Sequence, residues 1–146
     1  MELHPDTART VDQLAEEGNS FFNKQQYGKA IERWQRALDT LPSPLTDWEA
    51  AFWLFASIGD AQYQQGNLVE AKDALHDALN SPDGNSNPFA VFRLGQVYEL
   101  LGDEDRAADF LLRAYMLDGQ DIFDSDPDGA RALNLLASRQ LIKVAE

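Results

Sequence analysis

A spacing pattern that recurs three times constrains this chain more than any single residue does. Gly18, Phe21, Tyr27, Ala30, Trp34, Ala37 and Pro42 follow one another at intervals of 3, 6, 3, 4, 3 and 5. The frame returns as Gly59, Gly66, Leu68, Ala71, Leu75 and Ala78, and again as Gly95, Tyr98, Gly102, Ala107, Leu111 and Ala114. Ala30, Ala71 and Ala107 lie 41 and then 36 residues apart, close to a unit of about 34 residues with short insertions. Steps of three and four are helical.

The frame resembles the tetratricopeptide repeat (TPR) family, a helix–turn–helix unit. The resemblance implies an all-α chain: an α-solenoid of three TPR hairpins plus a C-terminal capping helix, seven helices in one domain over 1–146. The repeats are expected at about 11–44, 52–85 and 88–121, and the capping helix at about 127–145. Within them, helices are expected near 7–24, 27–41, 68–80, 88–101 and 104–117. Pro42 and Pro44 stop the second helix. The insertion that follows reads as an N-terminal extension of the next helix, capped by Thr46 or Asp47 with Glu49 in its first turn. SPDGNSNP, at 81–88, reads as a loop.

Small residues carry the expected packing. Gly18, Gly59 and Gly95 are expected to meet Ala30, Ala71 and Ala107 across each hairpin, so enlarging Ala71 to Leu should cost about 1–3 kcal/mol. Gly66 and Gly102 are expected at the turns, where a positive φ suits glycine; the first repeat has Gln25 and Gln26 there instead. Asp126 and Pro127 are expected to start the capping helix, with Leu133, Leu136, Leu141 and Ile142 as its apolar stripe.

Charge narrows the partners. Twenty-five acids against twelve bases leave a formal charge of −13. Phosphate-rich nucleic acid and anionic membrane surfaces both require a basic excess that is missing, so neither is an expected partner. An acid excess can serve solubility alone or draw in a basic protein partner by long-range attraction; between Asp39 and Phe92 there are eight acids and only Lys72 opposing them, a distribution that favours the second. The N-terminal residues lack a basic, then apolar, signal pattern, and the apolar stretch at 50–56 is too short for a membrane span. A cytoplasmic location is expected, and the absence of cysteine agrees with it.

Catalytic groups are scarce. His4 and His76 are the only histidines, and neither stands near a second metal ligand or a plausible nucleophile in sequence. Gly59 and Gly95 fall within helices rather than in a phosphate-binding turn. No enzyme activity and no cofactor are expected. Asp124, Asp126 and Asp128 match the first half of a calcium-binding D-x-D-x-D-G loop, but Leu135 stands where the bidentate glutamate belongs, so no metal is expected there.

The family resemblance also implies a concave surface lined by the first helix of each repeat. The corresponding positions are Asp12, Ala15, Asn19, Phe22 and Asn23; then Trp53, Ala56, Ser57, Asp60, Tyr63 and Gln64; then Phe89, Phe92, Arg93, Gln96 and Glu99. Phe22 and Phe92 are expected to pack inward. Trp53, Tyr63, Phe89 and Arg93 remain as anchors, with Asp60 and Glu99 placed to receive a basic side chain. Family members that clamp the carboxylate tails of Hsp70 or Hsp90 use Lys, Asn, Asn, Lys and Arg. Those positions here are Ala15, Asn19, Ser57, Phe89 and Arg93, so both lysines are lost. A second resemblance is to translocator chaperones of type III secretion, which are small, acidic three-repeat proteins. A third is to immunity proteins that neutralise a toxin, whose ends residues 115–123 resemble. The implied function is a non-catalytic module that sequesters or neutralises a basic protein, with the secretion chaperone or another adaptor as the alternative. The groove, the convex face and the acidic segment 118–128 all stand as places for that partner.

Overall fold

A computed structural model describes residues 2–143. Among them are eight α-helices and no strand: α1 (Pro5–Asn23), α2 (Tyr27–Thr40), α3 (Glu49–Gln65), α4 (Leu68–Leu79), α5 (Pro88–Leu100), α6 (Glu104–Asp118), α7 (Asp121–Asp124) and α8 (Gly129–Ser138). The chain divides into two compact units between Gly84 and Asn85. The N-terminal unit holds the hairpins α1–α2 and α3–α4, and the C-terminal unit holds α5–α6 with α7 and α8. The eighth helix arises because one turn, α7, forms ahead of the expected capping helix.

Each helix follows from local signals. α1 starts two residues earlier than the periodicity predicts, because Pro5 pre-sets the first helical φ and the His4 ring nitrogen accepts the Asp6 N–H at 3.1 Å. α2 buries Ala30, Trp34, Ala37 and Leu38, one stripe at steps of four, three and one. The expected Thr46 or Asp47 cap of α3 does not form. Residues Leu45–Asp47 make a 3₁₀ turn, and Trp48 takes the capping position without a side-chain hydrogen bond to the helix. Its buried indole instead donates to the Pro42 carbonyl at 2.7 Å. Apolar burial of one large ring thus fixes the entry angle that a hydroxyl or carboxylate cap was expected to fix.

The three hairpin turns share one hydrogen-bond pattern. Gln26 N–H donates to Phe21 O, Asn67 N–H to Gln62 O and Asp103 N–H to Tyr98 O, at 2.9, 2.9 and 3.0 Å. Each is the six-to-one bond that closes a helix through a left-handed residue. Gly66 and Gly102 supply that residue with φ of 79° and 87°, and Gln25 supplies it with φ of 60°. The first turn therefore keeps the geometry while carrying a side chain where a Cβ is unfavourable.

The glycines of the frame do not primarily admit the alanines. A Cβ on Gly59 would lie 2.6 Å from Leu75 Cγ, and one on Gly95 would lie 2.7 Å from Leu111 Cγ; on Gly18 it would strike the Trp34 indole. Each glycine accommodates the large side chain one turn beyond the alanine. Ala30, Ala71 and Ala107 are fully buried beside these contacts.

The C-terminal segment departs furthest from expectation. α8 starts at Gly129, with Asp128 and not Asp126 at its cap, and it ends at Ser138. Gln140 turns left-handed (φ 60°) and the Leu141 N–H returns to Leu136 O at 3.0 Å, closing the helix. Leu133 and Leu136 are buried as expected, whereas Leu141 lies past that turn and is exposed. The end of the expected capping helix, residues 144–145, lies outside the described residues. Phe123, on α7, packs edge-to-face on Phe92 at 4.9 Å and is buried.

Two outcomes check this account by urea denaturation. Gln25→Gly stabilises the chain by about 0.5–1 kcal/mol, because relief of left-handed strain exceeds the added unfolded-state entropy. Gly59→Ala costs about 1–3 kcal/mol, and in the Leu75→Ala background that cost largely disappears, since the clashing atoms are gone.

Candidate binding surface

The N-terminal unit carries a face built from α1 and α3. On α3, Trp53, Ser57, Asp60 and Gln64 follow at steps of four, three and four, which places them along one side of the helix. On α1, Asn19 and Phe22 share a side by the same spacing. Asn19, Phe22, Ser57 and Asp60, with Trp34 of α2, line a pocket of ≈ 190 Å³. Phe22 is half-buried, at 5.2 Å edge-to-face from Tyr27 and 5.9 Å from Trp34. One turn before Ser57, Trp53 is 61% exposed and contacts Phe52 edge-to-face at 4.9 Å. The Asp60 carboxylate accepts the Gln64 amide at 3.3 Å. Tyr63 is half-buried, and Asn23 and Gln64 are exposed, but none of the three lines the pocket.

Trp34 is the pocket residue that the groove positions did not include. It belongs to the second helix of its repeat, so a rule that counts only first helices passes over it. The signal was present in its place in the repeat frame, opposite Gly18. Among the described residues, the side chains lining this pocket include one acid and no base.

The equivalent positions of the C-terminal unit have a different fate. Trp53, Ser57 and Asp60 correspond, 36 residues on, to Phe89, Arg93 and Gln96. Arg93 is 7% exposed and Gln96 is fully buried. Arg93 Nη1 donates to Asp126 Oδ2 at 2.9 Å and to Gln96 Oε1 at 2.6 Å, while Gln96 Nε2 donates to Asp126 Oδ1 at 3.0 Å. The Asp128 backbone N–H adds a fourth bond, to Asp126 Oδ1, at 2.9 Å. The Phe89 ring lies 5.3 Å from the Arg93 guanidinium, and Glu99 accepts from Arg131 Nε of α8 at 3.2 Å. Arg93 and Gln96 are thus engaged inside the fold, and Glu99 already has a basic partner.

This network also explains the displaced start of α8. A buried arginine needs a carboxylate, and Asp126 supplies it instead of capping a helix. The same engagement argues against a calcium loop at Asp124, Asp126 and Asp128. Among the described residues no three His, Cys, Asp or Glu side chains cluster closely enough to hold a metal ion.

Burial opposes ionisation of Asp126, but the Asp128 N–H, the Gln96 amide and the Arg93 guanidinium together hold its carboxyl below the ordinary value of 3.8. A carboxyl depressed in the folded state contributes stability that is present above the unfolded value and lost as pH falls through the folded one. Asp126→Asn therefore destabilises the chain by about 1.5–3 kcal/mol at neutral pH. In urea titrations the wild-type advantage shrinks as pH falls below the ordinary carboxylate value.

Comparison with known proteins places these helices in a family. The tetratricopeptide repeat model matches residues 16–85 and 56–122. Protein unc-45 homolog B of Xenopus tropicalis is 33% identical over 96 residues, which is 65% of this chain and 10% of that protein. The chain thus spans about a tenth of the length of the curated relatives it matches. Among solved structures, the C-terminal TPR-containing domain of a putative FK506-binding protein of Plasmodium falciparum superposes with a TM-score of 0.74 at 19% identity, covering 92% of this chain and 90% of that one. The first TPR of Spaghetti (RPAP3), bound to the HSP90 peptide SRMEEVD, gives a TM-score of 0.70 at 17% identity, covering 92% and 95%. No helix among the described residues is long and apolar enough to cross a membrane. With repeat matches running continuously from residue 16 to residue 122, this chain belongs to the tetratricopeptide repeat family.

Proposed function

We propose that this chain is a non-catalytic binding module that captures a basic protein partner on the α1–α3 face of its N-terminal unit. The observation that carries the reading is the pocket lined by Asn19, Phe22, Trp34, Ser57 and Asp60, flanked by an exposed tryptophan and with no basic side chain among its described lining. Aromatic side chains dominate binding energies when a partner buries them, and a carboxylate beside them selects for positive charge.

Two observations favour a basic partner over an acidic peptide tail. Ala15 and Phe89 stand where the family's carboxylate clamp has lysines, and Arg93 is already engaged with Asp126. A peptide such as SRMEEVD carries several acids, and this face offers it none of those cations. Capture of a basic toxin, which neutralises it, accords with the acid excess better than escort of an apolar secretion cargo does. The segment 115–123 contributes to that reading only as a resemblance, since Phe123 within it serves the core.

Capture from the native host, followed by interferometry on the purified partner, tests this function. A net-basic partner whose affinity falls at least tenfold with Trp53→Ala and with Asp60→Asn, and which weakens as salt rises, is the expected result. An acidic partner, or unchanged affinity in both variants, overturns it.

A further inference from the structure

We infer that the α3 stripe reads a linear motif: a large apolar residue followed or preceded, three positions away, by a lysine or arginine in an extended segment. This rests on the proposed use of the α1–α3 face and adds the chemistry and the spacing of what it takes. The apolar residue lies against Trp53, and the cation reaches Asp60 across the mouth of the pocket formed with Asn19, Phe22 and Ser57.

The spacing comes from geometry. Trp53 and Asp60 are seven residues apart on α3, about 10.5 Å along a helix that rises about 1.5 Å per residue. An extended segment of polyproline-II form advances about 3.1 Å per residue and brings every third side chain back to the same face, so side chains three residues apart cover about the same distance on one side. A helical ligand segment would need about seven.

The charge comes from the face itself and from a comparison internal to the chain. Of the exposed or half-buried side chains that α1 and α3 place along this face, Asp12, Glu49 and Asp60 are charged, and all three are acids. In the C-terminal unit the corresponding stripe on α5 carries the cation, Arg93, and a carboxylate comes to it from a separate stretch of chain, Asp126. That stretch also brings an aromatic three residues earlier, Phe123, onto Phe92. A repeat's first helix here is thus paired with a segment that supplies one opposite charge and one apolar side chain. On α3 the signs are reversed: the acid is on the helix, so the incoming segment supplies the base.

Display of random twelve-residue peptides, selected against the purified chain and measured as synthetic peptides by fluorescence anisotropy, tests the inference. The expected result is enrichment of Lys or Arg three positions from Leu, Ile, Phe or Trp. Affinity of an enriched peptide falls tenfold or more with Trp53→Ala and with Asp60→Asn. Asp60→Lys then prefers the same peptide with glutamate in place of its base. Trp53 is largely exposed and Asp60 lies on the surface of the pocket, so circular dichroism should show all three variants folded. Enriched peptides that lose binding with Trp53→Ala but ignore Asp60→Asn overturn the motif and leave the α1–α3 face as the binding surface. Selection yielding no linear binder, while the captured protein still depends on Trp53, overturns the motif in the same way. Peptides indifferent to both substitutions, together with a captured protein indifferent to both, overturn the motif and the proposed function together.

Discussion

The pairing of a glycine with a bulky side chain inside each hairpin is the contact on which the rest of this fold depends. Trp34, Leu75 and Leu111 approach Gly18, Gly59 and Gly95 so closely that a single Cβ would collide with them. That approach brings each pair of helices near enough for the alanines beside them to be fully buried. It also sets the direction in which the first helix of each pair turns its opposite side. Ser57 and Asp60, flanking Gly59, face away from Leu75 and onto the pocket because Gly59 faces toward it. The stripe proposed to bind and the packing stripe are thus two sides of one constraint.

Hairpins were legible in the sequence because this contact leaves a residue trace at fixed spacing. Gly66 and Gly102 announced two turns; the third forms at Gln25 through the same hydrogen bonds, where composition alone gave little sign. What escaped local reading depended on burial and on partners outside the helix start in question. Trp48 displaced the expected cap because its indole finds the Pro42 carbonyl and a buried site, a tertiary preference stronger than the intrinsic one. Asp126 carries every local mark of a helix cap, yet it is drawn to Arg93 and Gln96, 33 and 30 residues earlier. The family resemblance put Arg93 and Gln96 among the expected concave positions; the structure shows a carboxylate already occupying them. Spacing locates a side chain on a face, and it says nothing of what the same chain later lays upon it.

The two units therefore use equivalent positions in opposite ways. On α5, Arg93 and Gln96 hold Asp126 in a buried, hydrogen-bonded arrangement that orders the segment leading into α8. Removing one member strands the others, which makes the network a structural element of the C-terminal unit. On α3, Ser57 and Asp60 remain at a pocket, and Trp53 stays in solvent at a substantial apolar cost. An exposed tryptophan on the same helix side as a carboxylate is poorly explained by stability, and it fits the recognition proposed for this face.

Electrostatics would give the proposed recognition its direction. Arg9, Arg33, Arg36, Arg93, Arg106, Arg131 and Arg139 each form an ion pair with a carboxylate of the chain itself. With internal cations so engaged, a formal charge of −13 leaves many acids without local compensation. Self-repulsion of this kind opposes the compact state and is relieved by any bound positive charge. A cation arriving at Asp60 therefore gains twice, from the contact itself and from the lowered repulsion among the eight acids between Asp39 and Phe92. The second gain is long-ranged and screened by salt, the first is short-ranged and partly shielded within the pocket. Salt should thus slow association far more than it hastens dissociation, and that asymmetry separates recognition at Asp60 from mere attraction to an acidic surface.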